Sequence, residues 1–273
     1  MAPPLDTIWF LSDYGLDDEF VGVVKGVVKN IAPEVTVVDI THQVPPFDVR
    51  AGSLALARSV SYLAPGVVLA VVDPGVGSDR RMVAVEVGGD DGTTAFLVGP
   101  DNGLLAPAVA MAGGARRAVS LTNEEYHLPS PGPTFAGRDI MAPAAAHLCT
   151  GLELDLLGEP VDPITLIPGM VPLSRPEGDQ VLGEVLWVDR FGNAQLNIDP
   201  EDVAHVKGPL LLRHGDKSRV VTRVSSYAEI KSGQVGLIVD SYGLLAVVLS
   251  QRSAAAELRL HTGSGISLEA VPD

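Results

Sequence analysis

Short β-branched, apolar runs alternate with helical patterns through the first half of the chain. Residues 8–11, 35–40, 67–72, 82–87 and 95–98 read as strands. Several are apolar at every position, as strands covered on both faces should be. Between the first two, Phe20, Val23, Val24, Val27, Val28 and Ile31 recur at spacings of three and four, which draws one apolar helical face. Asp17 or Asp18 is placed to cap that helix, and Pro33 follows its end. Residues 48–63 repeat the helical theme and stop at Pro65-Gly66. This alternation predicts an N-terminal α/β sandwich over residues 1–160, with a mostly parallel, Rossmann-like sheet and helices on both faces.

At Pro160 the texture changes. Five prolines fall between there and Gly178 with no sustained period, so 161–178 reads as a Pro/Gly-rich interdomain linker. Beyond it, residues 181–188, 210–213, 220–224, 235–239 and 244–249 read as strands, joined by turns such as His214-Gly215-Asp216-Lys217. Residues 253–257 read as a last helix or turn. A small antiparallel, barrel-like β domain over 179–273 is expected.

Composition narrows the function classes. The 273 residues are 46% hydrophobic and 19% charged, enough for two modest domains with sizeable cores. The formal charge is −15 with no Lys/Arg run, so a nucleic-acid footprint is missing, while a cationic ligand is favoured. Cys149, the sole cysteine, excludes an intramolecular disulfide and a Cys-rich zinc site; it reads as a buried small hydrophobe. With no membrane-spanning apolar run and no basic stretch before the first strand, a cytoplasmic location without membrane partners is expected.

Ligands of open parallel sheets sit at the carboxyl ends of the strands. After the first strand comes Ser12-Asp13-Tyr14-Gly15-Leu16-Asp17-Asp18, after the third Asp73-Pro74-Gly75-Val76-Gly77-Ser78-Asp79-Arg80, and after the fifth Gly99-Pro100-Asp101-Asn102-Gly103. Three polar, Gly-rich loops on one rim are expected. Neither a GxxxxGK[ST] loop nor a GxGxxG opening a helix is present, and no His-Glu-x-x-His. The six histidines are scattered, and His147 reads as a core or interface side chain.

Residues 11–18 resemble the DTDxGxDD loop of calcium-dependent nucleoside hydrolases, but Ser12 stands where that family's first Asp belongs. Losing a carboxylate weakens a cage of hard oxygen ligands. A second resemblance spans nearly the whole chain. Phe10-Leu11-Ser12-Asp13-Tyr14-Gly15, Val38-Asp39-Ile40-Thr41-His42, Val72-Asp73-Pro74-Gly75-Val76-Gly77, Gly99-Pro100-Asp101-Asn102-Gly103, Thr134-Phe135-Ala136-Gly137-Arg138-Asp139, Asp189-Arg190-Phe191-Gly192-Asn193 and Asp240-Ser241-Tyr242-Gly243 follow one another in order. Together they resemble the S-adenosylmethionine hydroxide adenosyltransferases, relatives of the bacterial fluorinase and chlorinase.

That resemblance implies an N-terminal α/β domain, a C-terminal β domain, and hydrolysis of S-adenosyl-L-methionine to adenosine and L-methionine by attack of water at ribose C5′. It implies that Asp73, Arg80 and His127 handle the water and that Asp13 holds the ribose hydroxyls. Asn102 joins the substrate-binding set, and Asp189 and Ser241 take the methionine amino and carboxylate ends. Asn193 hydrogen-bonds adenine; Phe191 and Tyr227 either pack on the adenine ring or belong to the β-domain core. Two departures from the halogenases matter. Asp73 replaces the fluorinase Tyr, and a fixed anion there repels halide. Tyr242 replaces the Arg that would face the methionine carboxylate. S-adenosylmethionine is the substrate, so no cofactor or metal is expected, and the family implies a homotrimer with sites at subunit interfaces. A calcium-dependent nucleoside hydrolase, a halide (chloride) adenosyltransferase and a non-catalytic S-adenosylmethionine or adenosine binder stay open as alternatives.

Overall fold

The computed structural model describes residues 5–88 and 95–272. Two compact units divide the chain, Met1–Val171 and Pro172–Asp273. In the first, β1 (Thr7–Ser12), β2 (Thr36–Thr41), β3 (Val67–Val71), β4 (Met82–Val87), β5 (Ala95–Pro100), β6 (Ala115–Ser120) and β7 (Pro160–Val161) form one sheet in the order 2-1-3-5-4-6-7. Strands β2, β1, β3 and β5 run parallel, whereas β4, β6 and β7 extend the sheet antiparallel. The antiparallel turn has a simple origin. Between β3 and β4 the chain has no helix to carry a crossover, and a parallel return needs about a dozen residues or more.

Four helices cover both faces: α1 (Phe20–Ile31), α2 (Val49–Val60), α3 (Ala106–Met111) and α4 (Ala142–Cys149), the last continuing a π-helical turn, Gly137–Met141. Successive strand residues point to opposite faces, so β1 and β3 feed two cores. Ile8, Phe10, Leu69 and Val71 pack with Val24 and Val28 of α1 and Ala145 and Leu148 of α4. Leu11, Val68 and Ala70 pack with Leu56 of α2 and Val109 of α3 on the other side. The helix over 20–31 starts at Phe20 with Glu19 at its cap and no side-chain cap bond, so neither Asp17 nor Asp18 caps it. Asp48 does cap α2, accepting from the Ala51 N–H at 2.8 Å. Cys149 is buried, which pushes its thiol up to about 12, and His147 is half-buried with its ring edge-on to Tyr126 at 5.0 Å.

The Pro-rich span is not a free tether. Pro160–Val161 pairs with β6, and Arg81 and Asp101 bind the backbone of Thr165 and Ile167 at 2.7 and 2.8 Å.

The second unit comprises β8 (Arg175–Glu177), β9 (Gln180–Val188), β10 (Ala194–Leu196), β11 (Leu210–His214), β12 (Lys217–Arg223), β13 (Val235–Val239), β14 (Leu245–Val248), β15 (Gly265–Ala270) and the short helix α5 (Ala254–Leu258). The order 10-14-13-12-11-15-9 closes because β9 pairs back onto β10, giving a seven-stranded barrel with β8 hung on β9. Closure removes the exposed edges. Val185, Leu196, Leu212, Val221, Leu237 and Val247 fill its core. One pairing departs from the antiparallel expectation: β12 and β13 run parallel, because residues 224–234, with a 3₁₀ turn at Tyr227–Glu229, carry the chain back to the starting end.

Candidate active site

Strand β1 hands the chain to β2 on one side, and β3 then pairs on the other side of β1. Strand order therefore reverses between β1 and β3, and the crevice beyond their carboxyl ends is the ligand position such a sheet offers. Asp13 follows β1 directly and Asp73 lies just past β3. The Asp13 N–H donates to the Val71 carbonyl at 3.3 Å, and the Asn102 amide donates to the Val72 carbonyl at 2.9 Å. Three loops thus meet on one rim.

The Asp73 loop folds back on itself through two turns, Val76 N–H to Asp73 C=O and Ser78 N–H to Gly75 C=O. Gly77 sits at φ 83°, a conformation glycine adopts without strain. A Cβ on Gly75 would lie 2.9 Å from Arg80 Cδ, so only glycine lets the arginine return over the loop. Arg80 then grips Asp73 through Nε and Nη2, one to each carboxylate oxygen. Their side chains are 11% and 6% exposed, so this is a nearly buried, two-pronged ion pair.

Asp13 accepts a hydrogen bond from the Phe47 N–H at 2.9 Å. Burial raises the Asp13 carboxyl above its ordinary range; the Phe47 bond opposes that rise and the nearby Asp73 charge adds to it. Two carboxylates with one guanidinium leave the rim net negative, a setting that favours a cationic ligand. His127 closes the 3₁₀ turn Glu124–Tyr126 and faces an open cavity of about 730 Å³ that Arg80, Glu124 and Asp139 also line. Burial lowers the His127 pKa, while the Glu124 charge and a hydrogen bond to the Leu121 carbonyl pull it back up. Asn102 is more a strut than an open contact: its amide donates to Val72 and its carbonyl oxygen accepts from Leu104 N–H at 3.1 Å.

In the second unit the remaining candidates sit on the turns and connections between barrel strands. Asp189, after β9, accepts from the Phe191 and Asn193 N–H groups at 2.9 and 2.8 Å and from the Asn193 amide at 2.7 Å. That amide lies 3.5 Å from the Tyr227 hydroxyl. Burial, with Asp189 and Asp240 nearby, raises the Tyr227 pKa and keeps the phenol neutral. Phe191 is 77% exposed and Tyr227 50%, so neither belongs to the β-domain core. Ser241 stands exposed at the tip of the β13–β14 turn. Asp240 pins that turn by accepting from the Tyr242 and Leu244 N–H groups, and buried Gln195 holds Asp240 at 2.5 Å.

The structure adds residues to the rim that sequence reasoning did not assign. Phe47 is 72% exposed at φ 67°, a conformation that non-glycine residues adopt at some strain; this conformation aims its N–H at Asp13. Tyr14 feels the Asp13, Asp73 and Asp139 charges, and its hydroxyl abuts Gly137. The signal for the pair was a glycine inside a helical segment. Among the described residues no group of three or more His, Cys, Asp or Glu side chains is arranged to hold a metal ion. Ser12, where nucleoside hydrolases carry a carboxylate ligand, is fully buried and bonded to His42 Nδ1 at 2.7 Å.

Comparison with known proteins agrees with this architecture. Residues 8–158 match the family model for the SAM hydroxide adenosyltransferase N-terminal domain, and residues 183–267 that for its C-terminal domain. The (R)-S-adenosyl-L-methionine hydrolase of Salinispora tropica is 43% identical over 267 residues, covering 98% of this chain and 99% of that one. A protein of the same description from Thermus thermophilus is 40% identical over 271 residues, with 96% and 98% covered. A crystal structure of an uncharacterized conserved protein from Thermotoga maritima superposes with a TM-score of 0.85 at 33% identity, with 96% and 99% covered. With both of its domains matched in order, the chain belongs to the SAM hydroxide adenosyltransferase family.

Proposed function

We propose that the chain hydrolyses S-adenosyl-L-methionine to adenosine and L-methionine, water attacking ribose C5′ in line with the C5′–S bond. The buried Asp73–Arg80 pair beside Asp13 at the β1/β3 switch point carries this reading. A sulfonium leaves as a neutral thioether, so the leaving group needs no acid; what the site must supply is a placed and activated nucleophile. Asp13 accepts from the ribose hydroxyls, which a carboxylate does for both members of a cis-diol. Asp73, held by Arg80 through both oxygens, orients the water, and its fixed charge disfavours halide in the same place. Arg80 stabilises the developing hydroxide. His127, kept neutral by burial and donating to the Leu121 carbonyl, takes the proton on its other ring nitrogen.

Asp189 and Ser241 receive the amino and carboxylate ends of the methionine part, Asn193 bonds adenine, and the exposed faces of Phe191 and Tyr227 pack on it. Asn102 contributes mainly by fixing the rim. No metal or cofactor takes part, and the enzyme works in the cytoplasm as a cyclic homotrimer whose sites draw on neighbouring subunits.

Incubation with S-adenosylmethionine in ¹⁸O-water should yield adenosine labelled at the 5′-oxygen, and activity should survive exhaustive EDTA. Free adenine, label at C1′, or a loss restored by Ca²⁺ would overturn the reaction; a 5′-halogenated nucleoside would replace the nucleophile. For the assembly, mixed oligomers of inactive Asp13→Ala and Ser241→Ala subunits should regain part of the activity, and a monomer by light scattering would refute it.

A further inference from the structure

We propose that the Tyr14 hydroxyl is a further water-positioning group for this reaction, holding the attacking water between the Asp13 and Asp73 loops. Tyr14 follows Asp13, and its ring is boxed by Phe10, Phe20 and Phe135, with centroids 6.4, 5.6 and 5.6 Å away. Contacts on those sides fix the ring plane and therefore the direction of the hydroxyl. It abuts Gly137, at a point where a Cβ on that residue would run into it. The same Cβ would lie 3.4 Å from Val71 Cγ1 at the end of β3, which puts the hydroxyl under the carboxyl end of that strand.

Gly137 explains itself only through this contact. It lies in the π-helical turn Gly137–Met141 and is not among the residues with positive φ, so its backbone conformation does not call for glycine. Glycine inside a helix is unfavourable by roughly 1 kcal/mol relative to alanine. What the missing side chain provides is room for the Tyr14 oxygen. A phenylalanine at position 14 would satisfy the aromatic packing equally well, so the hydroxyl has no evident task in the core.

Its electrostatic setting defines what it can do. Burial, joined by the Asp13, Asp73 and Asp139 charges, raises the Tyr14 pKa, so the phenol keeps its proton. A neutral phenol beside carboxylates donates toward an anion and accepts from a water O–H. Accepting that bond leaves a water lone pair free for C5′. In the step, that lone pair forms the C5′–O bond while the C5′–S pair withdraws to sulfur; one water O–H is shared by Tyr14 and the Asp73 carboxylate edge, the other gives its proton to His127, and Tyr14 stays neutral throughout. This role rests on the assignment of Asp13, Asp73, Arg80 and His127 made above.

The test is a double-mutant cycle on the full-length protein. Tyr14→Phe should lower kcat about tenfold, as loss of one orienting hydrogen bond does, with KM for S-adenosylmethionine within about twofold and Tm unchanged. Gly137→Ala, which pushes the hydroxyl off its place, should lower kcat to a similar degree. In the Tyr14→Phe background Gly137→Ala should cause no further fall, because the obstructing oxygen is gone. An unchanged kcat in Tyr14→Phe, or losses that simply multiply, would overturn the proposal. Should Tyr14→Phe fail to fold, Gly137→Ala decides alone: an unchanged kcat refutes the role. Asp73→Asn and His127→Ala are measured alongside. If they keep full kcat, the underlying assignment fails; if they lose it while Tyr14→Phe does not, only the tyrosine's role fails.

Discussion

Arg80→Ala isolates the Asp73–Arg80 pair on which the candidate site is built. Asp73 is 6% exposed and receives both of its charged bonds from Arg80, so truncation leaves a nearly buried carboxylate without its partner. At an effective dielectric near 20, charges about 3 Å apart interact by about 5 kcal/mol. Truncating one member of a buried pair typically destabilises by about 3–5 kcal/mol. The pair is confined to one loop, which can swing toward water and recover part of this, so about 3 kcal/mol is expected. Urea unfolding followed by circular dichroism measures it, with the first unit's transition tracked by a probe on its own residues. Asp73→Asn/Arg80→Gln should be less destabilised than Arg80→Ala, because no charge is left unpaired. Arg80→Lys restores the charge without the fork and should fall between. A loss below about 1 kcal/mol for Arg80→Ala, or a double variant worse than the single, would refute the picture of a buried, mutually dependent pair.

Burial holds the His127 pKa below 6.5 while Glu124 pulls it upward, so the acid limb of kcat/KM should have its midpoint below 6.5, and Glu124→Gln should move it lower; an upward move refutes the coupling. Because the folded-state pKa is depressed, the folded state binds fewer protons than the unfolded one between the two values, and the His127 contribution to stability should be lost as pH falls through 6.5 and below. Phe191→Ala and Tyr227→Ala remove exposed rings and should change stability by less than about 0.5 kcal/mol while raising KM; a large fall in Tm would show that the rings pack in the fold. Asn102→Ala breaks the link from the β5 loop to the Val72 carbonyl and a turn bond within the β5 loop, and should destabilise by about 2 kcal/mol, whereas an unchanged Tm with raised KM would make it chiefly a ligand contact.

Much of the fold was legible because its central strands carry their burial in their composition. β3 is buried at all five positions and could be read as a core strand without partners in view. β6 escaped notice because Arg116 and Arg117 interrupt its apolar run, Arg117 pairing with Glu86 across the sheet. The parallel pairing of β12 with β13 left no trace either, since periodicity tells which face is buried but not which way a neighbour runs. The rim was legible as three loops because topology puts carboxyl ends of parallel strands together. Which atoms meet there was not. The contact of Arg80 with Asp73 depends on the turns around Gly75 and Gly77, and that of Tyr14 with Gly137 joins residues far apart in sequence. Exposure of Phe191 and Tyr227 is a property of turns at the barrel end, where aromatic residues carry no periodic signal.

The charges on the rim pose a conflict that the Asp73–Arg80 pair resolves. A sulfonium substrate is drawn to carboxylates, yet as the C5′–S bond breaks its positive charge leaves sulfur for the attacking water and then His127. Attraction aimed at sulfur is strongest before the bond breaks and stabilises the ground state more than the transition state. An unpaired Asp73 free to turn toward sulfur would act in that way, whereas the same carboxylate held against the water faces the place where the charge arrives. Its bidentate link to Arg80 cancels most of its field at a distance while leaving a fixed carboxylate edge against which water can be oriented. Long-range attraction of the cation is then left to the chain's overall charge of −15, which acts on encounter more than on the barrier. The nucleophile is thus held by a carboxylate and a guanidinium that balance each other, and the departing thioether, neutral once formed, has little electrostatic reason to stay.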